Sequence, residues 1–407
     1  VWKGCVAFVK IESVDIFLLR HSGHSYSDYP FQPVVCRINT DEGICGFGEA
    51  GISIGPGENG VAHMLKDLSE MILGKDPLDN EVIWEDLHNR LYGHLSGGGV
   101  VVYSAMSAID IALLDIKGKA LGVPIYRLLG GKHNAELRCY LSQAQTGYGE
   151  QLAPLGKAAE YAQTCRKIMA DGFKAVKINF LSYDRQGKKI PRIETTGPLT
   201  AQLREMLEER LCAIREECGY GLEIIMENLC ASDATSARGI AEIAKKYRVL
   251  FIEEATANFN PELYRVIAQS TFIPLSAGER VHTRWEFYQL LRHNAVSVIQ
   301  PDICNTGGLS EAKKICDLAQ LFDVRVQAHV AGTPLTEAAA MHLEAAIPNF
   351  FYHEYFYMSL RPECRSYGKY IYAPQNGILR PPELPGLGQE LSDQAMAEAV
   401  GRLVVKR

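Results

Sequence analysis

LEIIMEN (222–228), VLFIEE (249–254), IPLSAGE (273–279), VSVIQPD (296–302) and VRVQAHV (324–330) are short β-rich runs that close on or beside an ionisable residue. Helical stretches separate them, among them TSARGIAEIAKKY (235–247), RWEFYQLLRH (284–293) and SEAKKICDLAQLF (310–322). Moving outward, ELRCYLS (136–142) and FKAVKINF (173–180) precede the series and FFYHEYF (350–356) ends it. Eight β runs alternating with helices within about 220 residues predict an α/β fold, a parallel (β/α)₈-type TIM barrel. A doubly wound open sheet is the rival.

The segment before the barrel has a different texture. VKIESVDIFLLR (9–20), QPVVCRINT (32–40) and GICGFGEA (43–50) read as strands, the last two joined as a hairpin through Asp41, Glu42 and Gly43. Helical pattern follows, ending in SAMSAIDIALLDIKGKALG (104–122) with its stop signal Gly122-Val-Pro124. We expect an α+β capping domain over 1–130, completed by the tail 357–407, around a barrel over 131–356 with an atypical last helix. The Pro- and Gly-rich stretch APQNGILRPPELPGLGQ (373–389) reads as extended chain packing back on the first domain.

Composition narrows the function classes. Forty-two Lys+Arg against 48 Asp+Glu leave a formal charge of −6, with no basic excess to hold nucleic acid. No apolar run approaches the roughly 20 residues of a membrane span. VWKGCVAFVK (1–10) carries no signal-peptide core, and the expectation is a cytoplasmic protein. The 11 cysteines include no C-x-x-C pair, which suits small core residues in a reducing compartment. Gly55, Gly57 and Gly60 form a literal G-x-G-x-x-G, but Glu58 between them would repel a pyrophosphate.

The strand ends carry the chemistry. Lys177 closes the second run, Glu227 the third, Glu253 the fourth, Glu279 the fifth, Asp302 the sixth, His329 the seventh and Glu354 the eighth. In a barrel these positions converge on the C-terminal face, where active sites lie. Three consecutive carboxylates offer an oxygen-only set suited to Mg²⁺. On the fourth strand either Glu253 or Glu254 can face inward, and periodicity does not choose. Asp302 beside His329 fixes a tautomer and raises basicity, as a general base needs. Lys177 can hold a substrate carboxylate, act as a second base or sit in a buried ion pair. Glu354, if protonated, can donate to an enolate oxygen, or it can sit in a structural pairing. Asn179 faces the same interior as Lys177.

These residues resemble the enolase superfamily, mandelate racemase subgroup, and within it the acid-sugar dehydratases. The resemblance rests on SAIDIALLDIKGKALGVPIYRLLGG (107–131), FIEEA (251–255), SAGERVHTRWEF (276–287) and IQPDICNTGGLSEAKKI (299–315). It implies one Mg²⁺ per subunit on Glu227, Glu253 and Glu279, and so favours Glu253 over Glu254. It also implies a homo-oligomer, dimer or octamer. Two departures matter: the third-strand ligand is Glu where the family usually has Asp, and Asn179 replaces the second lysine of a Lys-x-Lys pair. Leu229 stands where galactonate dehydratases carry a histidine. The face opposite His329 therefore lacks an obvious strong base. The expected reaction is α-proton abstraction from an aldonate of galactonate, gluconate or mannonate type, through an enediolate, with loss of water to a 2-keto-3-deoxy acid. A racemase or epimerase is the alternative, and a non-catalytic sugar-acid binder a more distant one. Substrate contacts are expected from His21, His24 and Tyr26 in HSGHSYSDYP (21–30). The insertion SYDRQGKKIPRIETTGP (182–198) reads as a lid or an oligomer contact.

Overall fold

A computed structural model describes residues 9–19, 31–90, 98–149 and 152–407. The loop positions His21, His24 and Tyr26 lie outside them. Strands β1 (Ile11–Leu18), β2 (Val34–Thr40) and β3 (Cys45–Ala50) form an antiparallel sheet, with the predicted hairpin pairing Asn39 with Cys45. Helices α1 (Glu58–Ile72), α2 (Asn80–Arg90) and α3 (Val100–Leu121) follow. Val14, Ile16 and Ile38 of the sheet share one core with Leu65 of α1, Ile83 of α2 and Leu113 of α3. Helix α3 stops at Gly122, whose left-handed φ of 67° lets its N–H reach back to Gly118 and Lys119 carbonyls. Pro124 then forbids continuation into the short α4 (Ile125–Leu128).

The eight β runs all appear, each strand leading into helix or loop. In order come β4 (Leu137–Leu141), α5 (Ala158–Ala170), β5 (Ala175–Ile178), α6 (Ala201–Cys218), β6 (Glu223–Glu227), α7 (Ala234–Lys246), β7 (Phe251–Glu253) and α8 (Glu262–Ala268). Then follow β8 (Leu275–Ala277), α9 (Thr283–Leu291), β9 (Val298–Ile299), α10 (Leu309–Gln320), β10 (Arg325–Val326), α11 (Pro334–Ala346) and β11 (His353–Tyr355). Neighbouring strands pair in parallel in the order β10-β9-β8-β7-β6-β5-β4-β11. A parallel bridge between Val326 and Phe350 links β10 to the chain entering β11. Near-continuous apolar strands such as Ile224–Met226 are what a sheet covered by helices requires.

The tail makes two returns. After α12 (Pro362–Arg365), β12 (Ile378–Leu379) pairs antiparallel with β4 of the large sheet. After α13 (Asp393–Ala397), β13 (Gly401–Lys406) pairs antiparallel with β1. The first of these contacts departs from the expectation, because two residues of edge pairing are legible only once strand β4 is in place. Among the described residues no helix is long and apolar enough to cross a membrane.

Candidate active site

Register aligns the carboxylates. Glu227 pairs with Glu253 across β6 and β7, Glu253 pairs with Ser276 of β8, and Glu279 follows β8 by two residues. Backbone strain gathers at the same strand ends. Gln143 after β4, Leu229 and Cys230 after β6, and Glu254 after β7 all hold positive φ, between 48° and 61°. Side chains of this kind rarely adopt that conformation, and such outliers cluster at functional sites. The turn at Glu254 sends its carboxylate away from Glu253. It accepts from Arg280 Nη1 at 2.9 Å, from the Gly278 N–H at 3.2 Å and from Cys230 Sγ at 2.6 Å.

Glu227, Glu253 and Glu279 each offer a carboxylate oxygen within 4.8 Å of the others. The Leu229 N–H donates to Glu227 Oε1 at 2.6 Å, while the buried Oε2 accepts no hydrogen bond. Gln300 Nε2 donates to Glu253 Oε2 at 2.5 Å, and Arg280 pairs with Glu279. A buried carboxylate oxygen without a hydrogen bond, beside two further carboxylates and with the Lys177 ammonium 3.3 Å away, fits a hard divalent cation. Burial and the adjacent Glu227 push the Glu253 carboxyl well above its usual range, the mark of a set short of positive charge.

Lys177 lies beneath this set, 1% exposed, over the ring of Tyr140. Its ammonium pairs with Glu253, with Glu354 Oε1 at 2.8 Å and with Glu227 Oε2 at 3.3 Å. Burial opposes that charge, but the carboxylates hold it well above the ordinary lysine range. The ion-pair role left open for Lys177 is the one this geometry displays. Of the two readings of Glu354, the geometry displays the pairing. Its Oε1 accepts from Ser142 Oγ at 2.6 Å and from Lys177, and its Oε2 accepts from the Val330 N–H at 2.9 Å. Burial notwithstanding, Lys177 and His329 hold its pKa at about 2. In this arrangement both its oxygens act as acceptors.

Asp302 and His329 meet as a parallel bridge, three residues beyond β9 and β10 respectively. His329 Nδ1 stands 2.7 Å from Asp302 Oδ2, and Asp302 Oδ1 accepts from the Cys304 N–H at 2.8 Å. His329 Nε2 lies 3.6 Å from Glu279 Oε2. Burial lowers the imidazole pKa, but Glu279, then Asp302 and Glu354, raise it to about 10.

A cavity of about 560 Å³ opens above these groups. His329, Asp302, Glu279 and Asn179 line it, whereas Lys177, Glu227, Glu253 and Glu354 lie below its surface. Two further walls come from Ala50–Ile54 after β3 and from Tyr183–Thr195 of the insertion. That insertion is a built wall: buried Arg210 donates to the carbonyls of Tyr183 at 2.8 Å and Asp184 at 3.0 Å.

The sequence matches family models for an enolase C-terminal domain-like region over residues 160–395 and for a mandelate racemase/muconate lactonizing enzyme N-terminal domain over 21–130. The chain belongs to the enolase superfamily. It is 30% identical over 367 residues to a D-galactonate dehydratase from Ralstonia pickettii, covering 89% of each chain. It is 29% identical over 371 residues to a D-xylonate dehydratase from Haloferax volcanii, covering 91% of this chain and 85% of that one. Its fold superposes on a solved putative dehydratase from Zymomonas mobilis ZM4 with a TM-score of 0.94 and 40% identity, over 98% of this chain and all of the other.

Within this superfamily member, the spacing of strand ends overlooks three residues that hold the site. Gln300 steadies Glu253, Arg280 spans Glu254 and Glu279, and Glu49 of β3 lines the cavity from the capping sheet. Gln300 was discoverable: it stands two residues before Asp302 at the end of an apolar run.

Proposed function

We propose that this hydro-lyase removes water from a sugar acid of the aldonate class, leaving a 2-keto-3-deoxy acid. The observation that carries the reading is the acid–base pair at the mouth: His329, held by Asp302, faces the cavity beside the Glu227, Glu253 and Glu279 set. Those three residues would hold one Mg²⁺, which when bound supplies Lewis-acid stabilisation to a substrate carboxylate. Glu279, the largest influence raising the His329 pKa, would be offset by a cation that it holds, and the neutral imidazole is the form that accepts the α-proton. Asp302 keeps Nδ1 as the bonded nitrogen, so Nε2 is the one that takes the proton. The protonated imidazole can then return it to the departing β-hydroxyl. Lys177 contributes positive charge from below as the enediolate develops. Asn179, on the cavity wall, is assigned to a substrate hydroxyl.

Racemisation needs a base on each face of the intermediate. Lys177 is bound by three carboxylates and Asn179 does not titrate, which supports elimination over inversion. For the architecture we propose a closed (β/α)₈ barrel over 131–356, supported by the Val326–Phe350 bridge, with a cap of 1–130 and 357–407 supported by the β13–β1 pairing. The test is a panel of aldonic and aldaric acids incubated with the enzyme and Mg²⁺, assayed for 2-keto product. Keto acid from aldonates and none without Mg²⁺ is the expected result. Recovery of epimerised substrate carrying solvent deuterium, with no keto acid, would overturn it.

A further inference from the structure

Glu49 is buried at the edge where the capping sheet meets the large sheet, and every contact made to its carboxylate is a donor. The Thr333 N–H lies 3.0 Å from Oε1, Thr333 Oγ1 2.5 Å from Oε2 and Thr336 Oγ1 2.7 Å from Oε2. Thr333 caps α11 and stands four residues after His329. Thr336 Oγ1 lies 3.2 Å from Cys304 Sγ, and the Cys304 N–H donates to Asp302. With the Thr336 hydroxyl donating to the carboxylate, its oxygen is left to accept from the Cys304 thiol. A continuous hydrogen-bonded path thus runs Glu49–Thr336–Cys304–Asp302–His329.

The residues after Glu49 grip the same two loops. The Gly51 N–H donates to the Cys304 carbonyl at 2.8 Å, and Ser53 Oγ donates to the Ala331 carbonyl at 2.8 Å. Two glycines make this approach possible. A Cβ on Gly51 would stand 1.7 Å from Asn305 Oδ1, and one on Gly332 would stand 2.7 Å from Glu49 Oε1. Residues Glu49 to Ile54 meanwhile form one wall of the cavity. One short segment therefore both bounds the cavity and holds the loops that carry the acid–base pair.

We infer that Glu49 is a positioning residue: through Thr333 and Thr336 it fixes the loops at 302–305 and 329–333, and so sets the His329–Asp302 pair against the capping wall. The inference rests on His329 being the base. A displacement of about 1 Å at such a pair costs on the order of a hundredfold in rate while leaving binding largely intact.

The experiment compares Thr336→Val, Thr336→Ser and Glu49→Gln with wild type on a sugar acid found by the panel, with Mg²⁺ affinity read by calorimetry. Thr336→Val keeps the shape and removes the link to Cys304. We expect its kcat to fall about tenfold or more, with KM and Mg²⁺ affinity nearly unchanged. Thr336→Ser, which restores the hydroxyl, should recover most of the rate, and Glu49→Gln should lose more than Thr336→Val. If Glu49→Gln does not fold, the Thr336 pair decides alone. Wild-type kcat in Thr336→Val, or an equal loss in Thr336→Ser, would overturn the inference. Full turnover in His329→Asn would instead remove the base assignment beneath it, a separate and recognisable failure.

Discussion

Two sets of buried carboxylates in this molecule behave in opposite ways. At the seam where α3 packs against β3, the tail and α10, each carboxylate meets donors. Asp115 of α3 accepts from the Phe47 N–H at 3.0 Å, the Leu387 N–H at 2.7 Å and Lys119 Nζ at 2.9 Å. Asp110 accepts from the N–H and hydroxyl of Ser310 at the start of α10. At the mouth, carboxylates meet other carboxylates: Glu227, Glu253 and Glu279 crowd within 4.8 Å, and one oxygen has no hydrogen bond. The carboxylate group and its burial are shared, so neither distinguishes structure from function. The supply of donors does. Satisfied carboxylates hold the fold together, and the under-supplied ones wait for a cation or a substrate.

That contrast can be broken from either side. The largest expected effect is at the mouth. His329→Asn should lower kcat by about 10³-fold or more, with Mg²⁺ affinity held. Steady-state rates and calorimetry on the same preparation check both halves. At the seam, Asp115→Ala should cost roughly 3 kcal/mol of stability in a denaturant titration, because three donors lose their partner. The kcat of the folded protein should stay at the wild-type value. A catalytic collapse there would dissolve the distinction between the two sets. Glu227→Gln inverts the pattern once more. Mg²⁺ affinity should drop on the order of a hundredfold. The metal-free protein should melt no earlier than wild type, since a crowded charge has been removed.

The sequence exposes these two sets unequally, and the reason is distance along the chain. The strand-end ladder from Glu227 to Glu354 is legible because one βα unit sets the spacing and the barrel turns phase into proximity. Pairing within the ladder is not legible. Lys177 reaches carboxylates on β6, β7 and β11, and nothing in a spacing says which strand end leans across the floor. Hence sequence leaves Glu354 between donor and structural partner, and the fold displays it as an acceptor. Glu49 is harder still. It sits in the Gly-rich run GICGFGEA, and its partners lie more than 280 residues away. A charged residue in an otherwise apolar strand was the one available signal.

The smallest effect tests whether a satisfied seam carboxylate is also a neutral one. Burial, opposed by the two donors of Ser310, pushes Asp110 from 3.8 up to about 6. Between pH 4 and 6 the folded protein therefore keeps a proton that the unfolded chain releases. The contribution is complete below pH 4 and fades as pH rises through 6, with a slope of up to about 1.4 kcal/mol per pH unit. Buried His342 works the other way, because burial lowers it to about 4 and stability then falls as pH drops from 6.5. The two slopes partly cancel in wild type, so the informative quantity is the difference between wild type and Asp110→Asn. That variant retains an acceptor for the Ser310 N–H and lacks the titration. Denaturant midpoints measured across pH 4 to 7 should show wild type losing stability relative to Asp110→Asn as pH rises. A flat difference would mean that Ser310 stabilises the ionised form as fully as water does, and that the seam carries charge at no cost.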